Sequence, residues 1–351
     1  MSTPDPSTPG DLTPRRSVLY MPAANERALE KAKTIPCDAV IFDLEDAVAP
    51  DAKEQARGQA AAAVASGDYG YRELTIRCNG LDTPWGADDL AAAAAAGPAA
   101  VVIPKVSGPG HLGLVTDAIE GAGAPDHTMI WAMVETPDAI FDARAIAQFD
   151  RVNVLVLGTN DLVKELHASH VPGRQPLLPH LATALLAARS AGKAILDGVY
   201  NDVKDPDGFL AECQQGAQMG FDGKTLIHPS QVEPANDTWA PSADEIDHAQ
   251  RVIEAFDEAT AEGRGVVTVD GRIVDLDIGS GDTSEGDQLG IGTVTEGHVG
   301  TTGGHLTVVG TDGTAIIADD GAVVGTFDAL QPRATVTPSA PLGTRCLSLG
   351  G

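Results

Sequence analysis

The sequence predicts a (β/α)8 barrel, and three observations carry that prediction. Eight short apolar runs recur between residues 17 and 228, Ala-rich helix-like segments separate them, and each run ends in polar residues. Eight is the strand number that closes such a barrel, and a span from about 15 to 232 suits its compact end. The competing doubly wound open sheet lacks support, because no G-x-G-x-x-G follows the first run.

In order, SVLYMP (17–22) leads to Asn25 and Arg27, AVIFDLE (39–45) ends among Asp43, Glu45 and Asp46, and ELTIRC (73–78) delivers Arg77 and Asn79. AVVIPKV (100–106) carries Lys105, MIWAMVE (129–135) stops at Glu135, and VNVLVLG (152–158) runs into Thr159, Asn160 and Asp161. AILDG (194–198) brings Asp197 with Tyr200, and KTLIH (224–228) closes on His228. All strand C-termini of a barrel meet at one face, so these residues are expected to converge although they are spread over two hundred positions. Ahead of the fourth run, LAAAAAAGPAAVVIP reads as a helix stopped by Gly97-Pro98 and followed by a strand.

Beyond the barrel, PSADEIDHAQRVIEAFDEATAEG (241–263) reads as a helix opened by a capping box of Ser242 and Glu245. GVVTVDGRIVD (265–275) reads as a hairpin around Asp270-Gly271. From 276 to 351 the chain is rich in Gly, Thr and Asp and lacks Lys; HLTVVGTDGTAIIADDGAVVGTF within it fits either a small β-meander or disorder. The expected organisation is a leader (1–14), a barrel (15–235), a helix with a lid segment (236–275) and a tail (276–351).

Fifty acids against 23 bases give a net charge of -27, which repels nucleic acid and anionic membranes. An anionic ligand would therefore need a local basic patch. No apolar run reaches the roughly 18 residues of a membrane span. The polar, Pro-rich N-terminus has neither a basic n-region nor an apolar h-region, so a disordered leader on a cytoplasmic protein is expected. The four cysteines show no C-x-x-C spacing, which points to reduced structural thiols.

Glu135 ends a buried strand, and two readings compete for it. It is either an acid favoured at the start of the helix that Thr136-Pro137 opens, or a metal ligand. Asp161, at the next strand end, has the same two readings. Together they form the minimal protein contribution to an Mg2+ site, because Mg2+ keeps several waters and takes substrate oxygens for the rest. Arg77 suits a carboxylate or an enolate oxygen as well as the nearby acids. Three carboxylates within DLED repel one another unless a cation or protons intervene. Lys105 is read as a partner in a structural ion pair, His228 as a hydrogen-bonded structural residue, and His167 with His170 as helix surface.

Six stretches, RRSVLYMPAANERALEKA, DAVIFDLEDAVAPDAKEQAR, IRCNG, MVETPDAI, LGTNDL and GFDGKTLIHPSQ, together resemble the CitE-like branch of the HpcH/HpaI aldolase and citrate lyase β-subunit family. The resemblance covers residues 15 to about 275. It implies a barrel of the phosphoenolpyruvate/pyruvate-binding type, dependence on Mg2+ (or Mn2+), and cleavage or formation of a C–C bond in a β-hydroxyacyl-CoA thioester. By the same resemblance, Glu135 and Asp161 are the metal ligands and Arg77 holds the acyl or keto-acid oxygen. Asp43, Glu45 and Asp46 orient metal-bound water, and Arg16, Arg27 and Lys31 lie near the CoA phosphates. Family members take a proton-donating acid from a G-[KR]-M-[IV]-[DE] motif of an adjacent subunit; DGRIVD matches it loosely and makes Asp275 the candidate. Family chains usually continue into a last helix, whereas LDIGSGDTSEGD is Gly-rich, the mark of a different C-terminal module or of an altered reading frame.

The expected function is a lyase for malyl-CoA, citramalyl-CoA or β-methylmalyl-CoA, working as a homotrimer or homohexamer. Its alternatives are a thioesterase for the same substrates, a citryl-carrier lyase subunit, or a binding protein on a lyase scaffold.

Overall fold

The computed structural model describes residues 13–261 and short strands within 266–349. The described residues divide into two compact units, one spanning Arg15–Thr238 and the other made of Thr13, Pro14 and the described residues from Trp239 onward.

In the first unit, β1 (Ser17–Pro22), β2 (Ala39–Asp43), β3 (Glu73–Arg77), β4 (Ala100–Ile103), β5 (Met129–Val134), β6 (Val152–Leu157), β7 (Ala194–Asp197) and β8 (Gly223–Leu226) pair in sequence order, and β8 returns to β1 to close the barrel. Every neighbouring pair is parallel. From β2 onward each predicted run overshoots its strand at the C-terminal end, because the residues that end the run leave strand geometry to face the mouth. The surrounding helices are α1 (Glu26–Ala32), α2 (Lys53–Ala65), α3 (Gly86–Ala96), α4 (Pro109–Gly121), the short α5 (Pro137–Phe141) and α6 (Ala143–Ala147), α7 (Thr159–Glu165), α8 (Leu178–Ser190), α9 (Pro206–Met219) and α10 (Val232–Thr238). Gly97 ends α3 in the left-handed region, at φ 65°, where a side chain would be strained, and Pro98 prevents the helix from continuing.

Strand alternation builds the interior in layers. Val18, Ala39, Ile41, Ala100, Val102, Trp131, Met133, Val154, Val156 and Leu196 form one buried cluster inside the barrel. Two residues further along the same inward-facing rows come Tyr20, Asp43 and Glu135, with Arg77 following buried Thr75 on β3. The top layer of the core is thus the floor of the mouth. Register adds a second constraint: Asp43 on β2 stands directly beside Arg77 on β3.

Charged clusters also lie elsewhere in the barrel. At the N-terminal end, Arg15 binds Glu73 through Nε at 2.6 Å and Nη2 at 2.8 Å. Between β7, β8 and α9, Lys224 reaches Asp197 at 2.9 Å and Glu212 at 2.8 Å, while Arg174 holds Asp197 at 2.7 Å. Cys37, Cys78 and Cys213 are free and buried.

In the second unit α11 (Ala243–Ala261) begins as expected, with the Ser242 N–H donating to Glu245 at 2.7 Å and the Glu245 N–H donating back to the Ser242 hydroxyl at 3.2 Å. β9 (Val266–Val269) and β10 (Arg272–Asp275) form the expected antiparallel hairpin, Val269 opposite Arg272. In the tail, β11 (Val299–Thr302), β12 (His305–Gly310), β13 (Gly313–Ile317) and β14 (Val323–Gly325) make a four-stranded antiparallel sheet, and β15 (Ser348–Leu349) pairs with β10. No helix among the described residues is long and apolar enough to cross a membrane.

Candidate active site

A cavity of about 320 Å³ opens at the C-terminal ends of the strands, with Tyr20, Asp43, Arg77, Glu135, Asp161 and Thr225 in its wall. A second, of about 520 Å³, shares Thr159, Val199 and Asn201 with it and extends toward Arg174 and Tyr200. The two cavities therefore adjoin at these three residues.

Glu135 is not the cap of the helix that follows it. Thr136 occupies that position, its hydroxyl accepting the Ala139 N–H at 3.1 Å, with Pro137 at the first turn and Asp138 as the first-turn acid. The helix terminus is therefore satisfied without Glu135, whose carboxylate turns into the cavity and accepts the Lys105 N–H at 2.7 Å. Lys105 adopts φ 48° to present that N–H, an uncommon conformation for a residue with a side chain. Burial pushes the Glu135 carboxyl up to about 8; the Lys105 N–H opposes the shift, and the charges of Glu45 and Asp161 add to it. Asp161 sits in the first turn of α7, whose N-cap, Gly158, has no side chain to offer.

Arg77 is buried and gripped on its fork by Asp43, Nε to Oδ1 and Nη2 to Oδ2 each at 2.7 Å. Its Nη1 reaches Glu45 at 2.9 Å, with Asp46 at 3.6 Å, and its guanidinium stacks 4.7 Å from the Tyr20 ring centroid. Asp43 is occupied by more than Arg77, since it also accepts the N–H groups of Glu45 at 2.9 Å and Ala47 at 3.0 Å. Its two oxygens thus tie Arg77 on β3 to the backbone of the acid loop. Glu45 is only partly exposed, and burial pushes its carboxyl up to about 7 against the pull of Arg77. Asp46 stands exposed at the rim.

Arg16 requires a correction. It precedes β1, so it lies at the opposite end of the barrel from the cavity, buried with its Nε and Nη2 on Asp38, each at 2.8 Å. A residue so committed has no donor edge for a phosphate at the mouth. Arg27 and Lys31 stand i, i+4 on the exposed face of α1, which starts from the C-terminal end of β1. Lys105 makes no ion pair among the described residues. Desolvation lowers the pKa of its ammonium, but the charges of Asp161, Glu45, Glu135 and Asp46 outweigh that and raise it. Asp197 lies within the buried cluster with Lys224 and Arg174 and lines neither cavity. His228 caps a one-turn 3-10 helix, Nδ1 to the Ser230 hydroxyl at 2.7 Å, in keeping with a structural role. His167 and His170 both lie past the end of α7, not on its surface; His170 faces the second cavity. Asp275 ends β10, and its side chain lies outside the described residues.

The donor set suits a hard divalent cation. Among the described residues no three His, Cys, Asp or Glu side chains converge on one point. A cation here would have two protein carboxylates, Glu135 and Asp161, a number that suits Mg2+ because it retains waters. A buried carboxyl raised to about 8 among other acids is electrostatically unsatisfied, and a cation relieves that.

Sequence reasoning passed over Tyr20 and Gly158. Alternation through Val18 would have found the first. For Gly158, a Cβ would overlap the Glu135 side chain, both its Cβ and a carboxylate oxygen. Gly158→Ala is therefore expected to displace Glu135 and weaken Mn2+ binding by about 10–100-fold, as changes around metal ligands do, measured by electron paramagnetic resonance titration.

A (3S)-malyl-CoA thioesterase of Cereibacter sphaeroides is 50% identical over 262 residues, covering 75% of this chain and 90% of the relative. The citrate lyase subunit beta of Escherichia coli is 38% identical over 267 residues, covering 74% and 88%. Among solved structures, the protein CitE of Mycobacterium tuberculosis in complex with magnesium, acetoacetate and coenzyme A superposes with a TM-score of 0.59 at 29% identity, covering 75% of this chain and 93% of that one. The family model described as HpcH/HpaI aldolase/citrate lyase matches residues 16–229, the barrel that carries the site, and the chain belongs to that family.

Proposed function

We propose that this protein is a divalent-metal-dependent hydrolase of a malyl-CoA-type β-hydroxyacyl-CoA thioester. The observation that carries this reading is the 50% identity to (3S)-malyl-CoA thioesterases over 90% of their length, joined to a mouth lined by Glu135, Asp161 and Arg77, with Glu45 paired to Arg77 at 2.9 Å. The order of preference drawn from sequence, C–C cleavage before hydrolysis, is thereby reversed.

Glu135 and Asp161 would hold the cation, with Glu135 fixed by the Lys105 N–H. When bound, Mg2+ would supply Lewis-acid polarisation of substrate oxygens. Arg77, locked by Asp43, keeps N–H groups beyond those that bind Asp43 and Glu45, and these would meet the oxygen of the thioester carbonyl as negative charge develops there. Glu45, with a carboxyl near 7, is matched to proton transfer at neutral pH. It accepts a proton from the attacking water as the O–C bond forms, and returns it to the sulfur as the C–S bond breaks. The products are the free hydroxy acid and CoA. Arg27 and Lys31 provide the basic rim for the CoA phosphates.

C–C cleavage stays as a second reading, favoured by the 38% identity to citrate lyase beta subunits and by Asp275 at the end of β10. A homotrimer or homohexamer belongs to the same proposal. The test is an assay of the purified full-length chain with malyl-CoA and citramalyl-CoA, with and without Mg2+, resolving CoA, acyl-CoA and keto acid. Mg2+-dependent release of CoA and hydroxy acid is expected; acyl-CoA plus keto acid instead would establish the lyase, and no turnover of either kind would remove both.

A further inference from the structure

Lys53, the first residue of α2, is buried without a carboxylate partner among the described residues. Its three ammonium protons go to the Leu44 carbonyl at 2.8 Å, the Glu45 carbonyl at 2.8 Å and the Asn79 side-chain oxygen at 2.7 Å, and its Nζ lies 5.0 Å from the Trp85 ring centroid. Asn79 in turn donates to the Leu44 carbonyl at 2.8 Å and to Asp89, which Arg57 holds at 2.7 Å. The loop after β2, carrying Glu45, is thus tied to the loop after β3, two residues beyond Arg77.

A buried cation is costly, and three neutral acceptors with an aromatic face compensate it less well than a carboxylate does. If the need were only to fill space, an apolar side chain would fill it at lower cost. What the ammonium does that an apolar group does not is fix two consecutive carbonyls, and with them the direction in which the Glu45 side chain leaves the backbone. It also sets a positive charge behind the acid-rich loop of Asp43, Glu45 and Asp46.

We infer that Lys53 is a positioning residue that presents Glu45 to Arg77 and to the reacting atoms, an inference that rests on the role proposed above for Glu45. Lys53 touches none of the cavity-lining carboxylates through its side chain, so its effect is separable from theirs.

Two readouts on Lys53→Met in the full-length protein test this, beside unchanged Mn2+ affinity as the control for an intact Glu135–Asp161 pair. Peptide-resolved hydrogen exchange over residues 41–48 should accelerate at least about tenfold, while exchange in the strands other than β2 stays as in the parent. The kcat for the thioester should fall about 10–100-fold with KM little changed, as for a misplaced reacting group. Adding Glu45→Gln to Lys53→Met should cost no more than Glu45→Gln alone. Unchanged exchange over 41–48, or losses that simply add, would overturn the inference. If the parent turns over no thioester, the functional reading fails, and the exchange measurement still decides whether Lys53 orders the loop. Should Lys53→Met not fold, Lys53→Gln carries the same comparison.

Discussion

Glu135→Gln is expected to abolish metal-dependent turnover, lowering kcat/KM by at least about 10³-fold, the scale on which loss of one key electrostatic group is felt. The substitution keeps the shape of the side chain and the oxygen that accepts the Lys105 N–H, but removes the charge that a cation needs. A merely structural Glu135 would tolerate it with small loss. The same residue sets a pH signature. Its carboxyl is raised from 4.5 to about 8 in the metal-free fold, and that of Glu45 from 4.5 to about 7. Above about 4.5 the unfolded chain releases both protons while the fold holds that of Glu45 to about 7 and that of Glu135 to about 8, so the contribution of these two groups to stability is full below about 4.5 and declines as pH rises toward 8. A cation competes with the Glu135 proton, so the Mg2+-induced rise in melting temperature should grow from about pH 6 to about 8.5. Thermal unfolding scans with and without Mg2+ check both trends, and Glu135→Gln should flatten its share of the metal-free decline and most of the metal-induced rise. A metal shift indifferent to pH would show that Glu135 is not the ligand.

Much of this arrangement was legible before any coordinates, for reasons that are local. The eight runs carry their own strand signal, and a polar residue at the end of an apolar run has few places to go in a closed barrel except the mouth. Glu135, Asp161 and Arg77 were found on that ground alone. Which partner each charge takes was not legible, because it depends on register and rotamer. Asp43 and Arg77 are side by side only because β2 and β3 pair in one particular register. Arg16 was misplaced because the resemblance of the opening motif was followed over position: it precedes the run SVLYMP, which is β1 itself, and so enters the barrel at the end away from the mouth. Lys105 was read for its ammonium, whereas its defined contact is made by its N–H from a left-handed backbone. Lys53 gave no signal at all, since a Lys at a helix start reads as solvated surface.

Arg77 separates structural from chemical work most cleanly. Arg77→Met should destabilise the protein by roughly 3–5 kcal/mol, because it leaves the buried Asp43 carboxylate without its cation. It should also remove turnover, and the two losses would be confounded in that single variant. Arg77→Lys keeps a charge near Asp43 but replaces a fork by a point, so part of the stability should return while kcat stays down at least about 10²-fold. The decisive variant combines Arg77→Met with Asp43→Asn. With both charges gone, no uncompensated ion remains, and the melting temperature should climb back toward that of the parent, although the amide introduced in place of Asp43 would still be asked to accept the Glu45 and Ala47 N–H groups. Turnover should not return, because the guanidinium edge proposed to meet the developing charge is absent. Recovery of activity alongside stability would mean that Arg77 serves only to neutralise Asp43, and the oxyanion-stabilising role would then have to pass to the exposed ammonium of Lys105, the other cation that the acids of the mouth hold charged.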